Sequence, residues 1–116
     1  MILDLYNYEA IVKRVIDGDT IDLTIKIGFY LKYDTPVRLL DINTPEIRGI
    51  EKPQGLISKS YVEEVLPVGK NIEIHTEKDD VFGRWLGVIH YLNDDGEALN
   101  LNCELLELGL AEQDIR

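Results

Sequence analysis

Three short segments carry residues whose types and spacing could do chemistry. Asp17-Gly18-Asp19-Thr20 puts two carboxylates on a tight turn. Carboxylates on a rigid turn are hard oxygen ligands, suited to Ca²⁺ or Mg²⁺. Arg38-Leu39-Leu40-Asp41-Ile42-Asn43-Thr44-Pro45-Glu46 runs from an apolar strand into a loop with an amide and a carboxylate. An arginine can grip phosphate oxygens with two parallel hydrogen bonds. A loop carboxylate beside a metal can orient or deprotonate a water. Asp80-Val81-Phe82-Gly83-Arg84-Trp85 sets a second arginine just before an apolar stretch. Taken singly, each segment is also accounted for by an ordinary turn with solvated charges. Together they hold a metal-ligand turn, two cations and one candidate base.

These residues need a scaffold, and periodicity supplies it. Tyr8 to Ile16 is rich in Ile, Val and Tyr, and the Asp17-Gly18-Asp19 turn follows. Thr20 to Ile27 alternates apolar Ile21, Leu23, Ile25 and Ile27 with polar neighbours, the period of a half-buried strand. Asp-Gly between two such runs predicts a hairpin. A third strand is expected after Pro36, and an exposed loop from Arg48 to Gly55. Leu56–Leu66 has the spacing of an amphipathic helix. Asn71–Thr76, Trp85–Leu92 and a short stretch around Leu99 and Leu101 read as further strands. Asn102 is the expected cap of a last helix, with Gly109 as its stop. Strands, helix, strands, short helix is an α+β order, and a small Greek-key barrel with helices packed on it closes it naturally.

Composition bounds the rest. A chain of 116 residues suits one domain, 1–116, with its own core. A single cysteine, Cys103, excludes an intrachain disulfide. No run approaches the ~20 apolar residues of a membrane-spanning helix. The first ten residues lack a signal-peptide pattern, so a cytoplasmic, monomeric protein without membrane contact is expected. The net charge of −10 argues against tight non-specific binding to nucleic acid. The excess is uneven, however: seven acids and one base follow Arg84. Tyr30 and Tyr33, in the expected loop between the second and third strands, are candidates for stacking on bases.

In order and spacing the segments resemble the staphylococcal-nuclease-like (thermonuclease) family. The matching pieces are Val15–Thr20, Val37–Leu40 with Asn43–Glu46, Phe82-Gly83-Arg84, and Leu105–Ala111. The resemblance implies a five-stranded OB-type β-barrel with two packed helices, the family's third helix being absent from this chain. It implies Ca²⁺-dependent hydrolysis of DNA or RNA phosphodiesters, with Mg²⁺ or Mn²⁺ as alternatives and single-stranded substrate favoured. By the same resemblance Asp19, Asn43 and the Thr44 carbonyl are the metal ligands. Arg38 contacts the scissile phosphate, Glu46 is the general base, Arg84 stabilises the developing charge, and Phe82 adds to the substrate surface with Tyr30 and Tyr33. Two departures stand out. The archetype has an aspartate where this chain has Asn43, and its nucleotide-binding tyrosines have no counterpart in the tail from Glu112. Both suit the alternative function, a catalytically weakened OB-type module that binds nucleic acid or a protein partner.

Overall fold

A computed structural model describes residues 6–79 and 83–114. Strands β1 (Asn7–Asp17), β2 (Thr20–Gly28) and β3 (Leu31–Leu39) form an antiparallel meander. Strand β5 (Asn71–Asp79) pairs with β1, and β6 (Trp85–Leu92) with β5. A parallel pairing of β3 with β6, Val37 to Trp85 through Leu39 to Gly87, closes these five strands into a barrel. The short β7 (Ala98–Asn100) extends the sheet from β6, and β4 (Ile42–Asn43) pairs with the tail strand β8 (Glu112–Gln113). Helix α1 (Lys52–Val65) follows a 3-10 turn at Gly49–Glu51, and α2 (Leu101–Glu107) follows β7.

The alternation seen in the sequence is the barrel wall. Ile21, Leu23 and Ile25 of β2, Val37 and Leu39 of β3, Ala10 and Val12 of β1, Ile72 and Ile74 of β5 and Ile89 of β6 point into the lumen and are buried. Val62 and Leu66 from the α1 region, and Leu101 and Leu105 from α2, join the same core. Each such aliphatic side chain contributes roughly 1.5–3 kcal/mol through burial.

Several boundaries differ from the reading of the sequence, for physical reasons. The third strand begins at Leu31, not after Pro36, and so holds Tyr33. Pro36 is tolerated because β6 joins β3 only from Val37 onward, leaving that edge open. The segment Arg48–Gly55 is not all loop, since α1 starts at Lys52 with Pro53 in its first turn, where a missing N–H does no harm. The cap of α2 is Asn100, whose Oδ1 accepts the Cys103 N–H at 3.1 Å, not Asn102. At its other end, Gly109 adopts φ 73°, and Leu110 N–H reaches back to the Leu105 carbonyl in a left-handed stop.

Asn102 has a different task. It is buried where β3 and β6 part, with Nδ2 donating to the Leu40 carbonyl (3.0 Å) and the Gly87 carbonyl (3.1 Å). Its Oδ1 accepts the Ile89 N–H at 3.2 Å. One side chain thus fastens α2 to both strands of the parallel closure. Asn102→Ala should leave three buried backbone groups without this partner and cost about 3 kcal/mol in urea unfolding. A loss below about 1 kcal/mol would mean that water replaces the amide.

Candidate active site

Asp19 ends the β1–β2 turn and lies mostly buried. Its Oδ2 accepts the Thr44 N–H at 3.0 Å and stands 3.4 Å from Arg38 Nη2; its Oδ1 accepts the Thr20 hydroxyl at 3.2 Å. Its own N–H donates to Asp17 Oδ1 at 3.1 Å. Burial raises the Asp19 carboxyl, but the Asp17 hydrogen bond, the Arg38 guanidinium and the Thr44 N–H outweigh burial and hold it below the usual carboxylate range. Burial first, and then the neighbouring Asp19, push Asp17 up to about 6. The turn therefore carries one firmly ionised carboxylate beside one that gives up its proton reluctantly.

Arg38 is the hub. Its Nη1 donates to the carbonyls of Leu39 (2.9 Å) and Ile42 (2.8 Å). Its Nη2 donates to Asn43 Oδ1 at 3.0 Å and faces Asp19. The side chain is 11% exposed. In this geometry the guanidinium bridges Asp19 and Asn43, the two side chains expected to hold a metal. Arg84 comes one residue before β6 and is partly buried. Trp85, the residue after Arg84, pairs with Val37, the neighbour of Arg38 on β3.

Glu46 is exposed on the loop between β4 and α1. The Glu51 carboxylate accepts the Glu46 N–H at 3.0 Å. From beneath, α1 presses on this loop at Gly55: a β-carbon there would lie 2.1 Å from the Glu46 carbonyl oxygen and 2.8 Å from that of Pro45. Gly18 plays a similar part at the metal-ligand turn, where a β-carbon would meet Thr44 Cγ2 at 2.9 Å and Ser58 Cβ at 3.0 Å. Ser58, buried on α1, donates to the Leu110 carbonyl at 2.7 Å. A groove of about 440 Å³ runs past Asn43, Thr44 and Pro45, between Glu51 and Gln54 on one side and Gly109–Glu112 on the other.

Gly55, Glu51, Ser58 and the tail strand were not read from the sequence. A glycine at a helix start is common, and only packing reveals what it touches. The tail from Glu112 is acidic. It is a strand, with Glu112 directly opposite Asn43 and Asp114 N–H donating to the Asp41 carbonyl.

The other expected residues lie elsewhere. Tyr33 is in β3, with its ring 5.7 Å from that of Trp85, which in turn sits 5.9 Å from Tyr8. Tyr30 is at the tip of the β2–β3 hairpin, eight residues of extended strand or about 26 Å from Arg38. Phe82 lies outside the described residues.

The donors near Asp19 are all hard oxygens: the Asp17 and Asp19 carboxylates, the Asn43 amide oxygen and the Thr44 carbonyl. Among the described residues no three His, Cys, Asp or Glu side chains gather as a metal-binding group. The chemistry of the set still fits a hard divalent cation, whose charge would relieve the crowding of Asp17 against Asp19.

Helix propensity and packing make opposite forecasts for Gly55. Propensity says that alanine stabilises a helix by about 1 kcal/mol. The contact with Glu46 says that alanine must push the loop or the helix aside, at about 1–3 kcal/mol. Gly55→Ala should lower thermal stability; a stabilised variant would show that α1 does not bear on the Glu46 loop.

Comparison with known proteins agrees with the fold. The profile described as staphylococcal nuclease homologue matches residues 36–115. Over 115 residues the chain is 32% identical to Endonuclease YhcR of Bacillus subtilis (strain 168), covering 90% of this chain and 9% of that protein. Over 112 residues it is 29% identical to Micrococcal nuclease of Shigella flexneri, covering 90% of this chain and 58% of the relative. The chain thus spans under a tenth of one relative and little more than half of the other. With the profile covering the barrel closure, both helices and the tail strand, the chain belongs to the staphylococcal nuclease homologue family.

Proposed function

We propose that this protein is a metal-dependent nuclease that hydrolyses phosphodiester bonds of DNA or RNA. The observation that carries this reading is the single network joining Asp19, Arg38, Asn43 and Thr44, with Arg84 just before β6 and Glu46 on the loop that Thr44 opens. Residues far apart in sequence meet at one end of the barrel, and their types match the reaction.

Asp19, the Asn43 amide oxygen and the Thr44 carbonyl would hold Ca²⁺, or Mg²⁺ or Mn²⁺ in its place. When bound, the ion supplies positive charge next to the phosphoryl oxygens. The exposed Glu46 carboxylate takes a proton from the attacking water. The water oxygen forms the new bond to phosphorus, the bond to the departing sugar oxygen breaks, and that oxygen takes a proton from solvent. Arg84 and Arg38 place fixed positive charge on the face where the negative charge grows.

A second reading has its own observation. Arg38 donates to three protein acceptors and pairs with Asp19, and neutral Asn43 stands where the archetype has a carboxylate. A cation bound here meets one full charge fewer, which favours a weakened enzyme or a binding module. A gel assay of single-stranded DNA with Ca²⁺, Mg²⁺, Mn²⁺ or EDTA decides between the two. The nuclease reading expects cleavage with at least one metal and none in EDTA, and a loss of about 100-fold or more in Glu46→Gln. Cleavage that survives in both EDTA and Glu46→Gln would refute it.

Asn43→Asp adds a carboxylate to the donor set, and Ca²⁺ sites are tuned by ligand charge. Calorimetry should show about tenfold tighter Ca²⁺ binding, equal to ~1.4 kcal/mol. Equal or weaker binding would mean that residue 43 does not touch the ion.

A further inference from the structure

The β2–β3 hairpin outruns the barrel. Pairing of β2 with β1 ends at Ile25, and β6 joins β3 only from Val37. Beyond those points the two strands have each other and a two-residue loop, Phe29-Tyr30. This projecting end is strongly apolar: Phe29 and Tyr30 are fully exposed, Leu31 is two-thirds exposed, and Ile27 and Tyr33 nearly half.

Neither packing nor turn chemistry accounts for Phe29. Its ring buries nothing, and its φ of 55° is one that two-residue hairpin loops normally give to glycine or asparagine. A residue that is strained and unburied at the tip of a projection invites a role in contact with something outside the chain.

Charge indicates what that something is. Lys26 and Lys32 are direct cross-strand partners, an arrangement that repels. Among the described residues Lys26 has a 3.9 Å pair with Glu9, and Lys32 has no ion pair. On the same outer face, Lys13 pairs with Asp34 and Arg14 with Asp22, and Arg38 stands at the far end of the Lys32 column. Arg38 is matched by Asp19, and Glu9 faces Glu73 of β5, so the cation that stands out on this face is Lys32, set against Lys26 near the tip. Exposed aromatic rings beside two directly opposed lysines are the chemistry that binds bases and phosphates of an unpaired strand. An apolar protein partner would gain nothing from a lysine pair that repels itself.

We propose that the projecting end of the β2–β3 hairpin is an accessory binding surface for single-stranded nucleic acid. Phe29 and Tyr30 stack on bases, and Lys26 and Lys32 hold the phosphates. The proposal rests on the reading of the barrel as a nucleic-acid enzyme, and it extends the substrate about 26 Å along β3 from Arg38.

Binding measured without turnover tests it. Anisotropy of a fluorescein-labelled 20-residue oligothymidylate is followed in EDTA, against salt, for the full chain and two variants. Phe29→Gly removes the ring at a backbone angle that glycine accepts, so the fold is kept. It should weaken binding about tenfold with an unchanged salt slope. Lys26→Gln with Lys32→Gln should weaken binding and reduce the slope of log affinity against log salt by about 1.4, at ~0.7 per phosphate released. Affinities equal to that of the unaltered chain, or no oligonucleotide binding by that chain, would overturn the proposal. So would unchanged oligonucleotide binding with lost sedimentation on phosphatidylserine vesicles, which would make the tip a membrane contact. Cleavage with metals is scored separately, so a chain that binds through the hairpin without cutting sinks only the nuclease reading.

Discussion

The site depends on one buried ion pair, Arg38 with Asp19. Their side chains are 11% and 10% exposed, and neither is tolerable there alone. Losing one partner of such a pair costs about 3–5 kcal/mol, because the other charge stays buried. Around it the strand ends are fixed. Leu39 N–H donates to the Asp19 carbonyl, Arg38 reaches the Leu39 and Ile42 carbonyls, and Asp19 accepts from Thr44. The turn after β1, the end of β3 and the loop after β4 are thereby one rigid unit. Whatever chemistry the protein performs is set by how this unit faces the groove.

A second layer holds that unit from behind. Helix α1 approaches closely at two glycines, Gly55 against Glu46 and Gly18 against Thr44 and Ser58. Ser58 then ties α1 to the Leu110 carbonyl, and the chain from Leu110 to Asp114 returns to pair with β4 beside Asn43. Asn102 performs the matching task on the other side, where β3 and β6 separate. Glu46 is thus the exposed end of a frame whose supports are buried, which is how a loop carboxylate can be held in place.

Charge is partitioned on the same frame. The acids following Arg84 lie in the turn between β6 and β7, on α2 and in the tail. A net −10 describes the molecule seen from afar, within the reach of screening at low salt. At hydrogen-bond range the outer face of β1, β2 and β3 presents a local mixture instead, with Lys13, Arg14, Lys26 and Lys32 among Glu9, Asp22 and Asp34.

The sequence by itself determined the five barrel strands, both helices and the three segments that carry the candidate residues. Period-two burial and turn residues are local properties, and each strand's lumen face was already visible in Ile21-Leu23-Ile25 or Val37-Leu39. Tertiary structure alone decided what those segments do to one another. That Arg38 spends its guanidinium on Asp19 and Asn43, that Gly55 must be small for the sake of Glu46, and that the acidic tail becomes a strand opposite Asn43 are all contacts between residues far apart in the chain. Even local features yielded where a distant partner differed: Pro36 entered a strand because one edge was free, and Asn102 left its expected cap for three backbone groups on two strands. Periodicity records which face is buried, but a hydrogen bond or a steric limit depends on what the fold brings opposite, and that has no signature within a few residues of sequence.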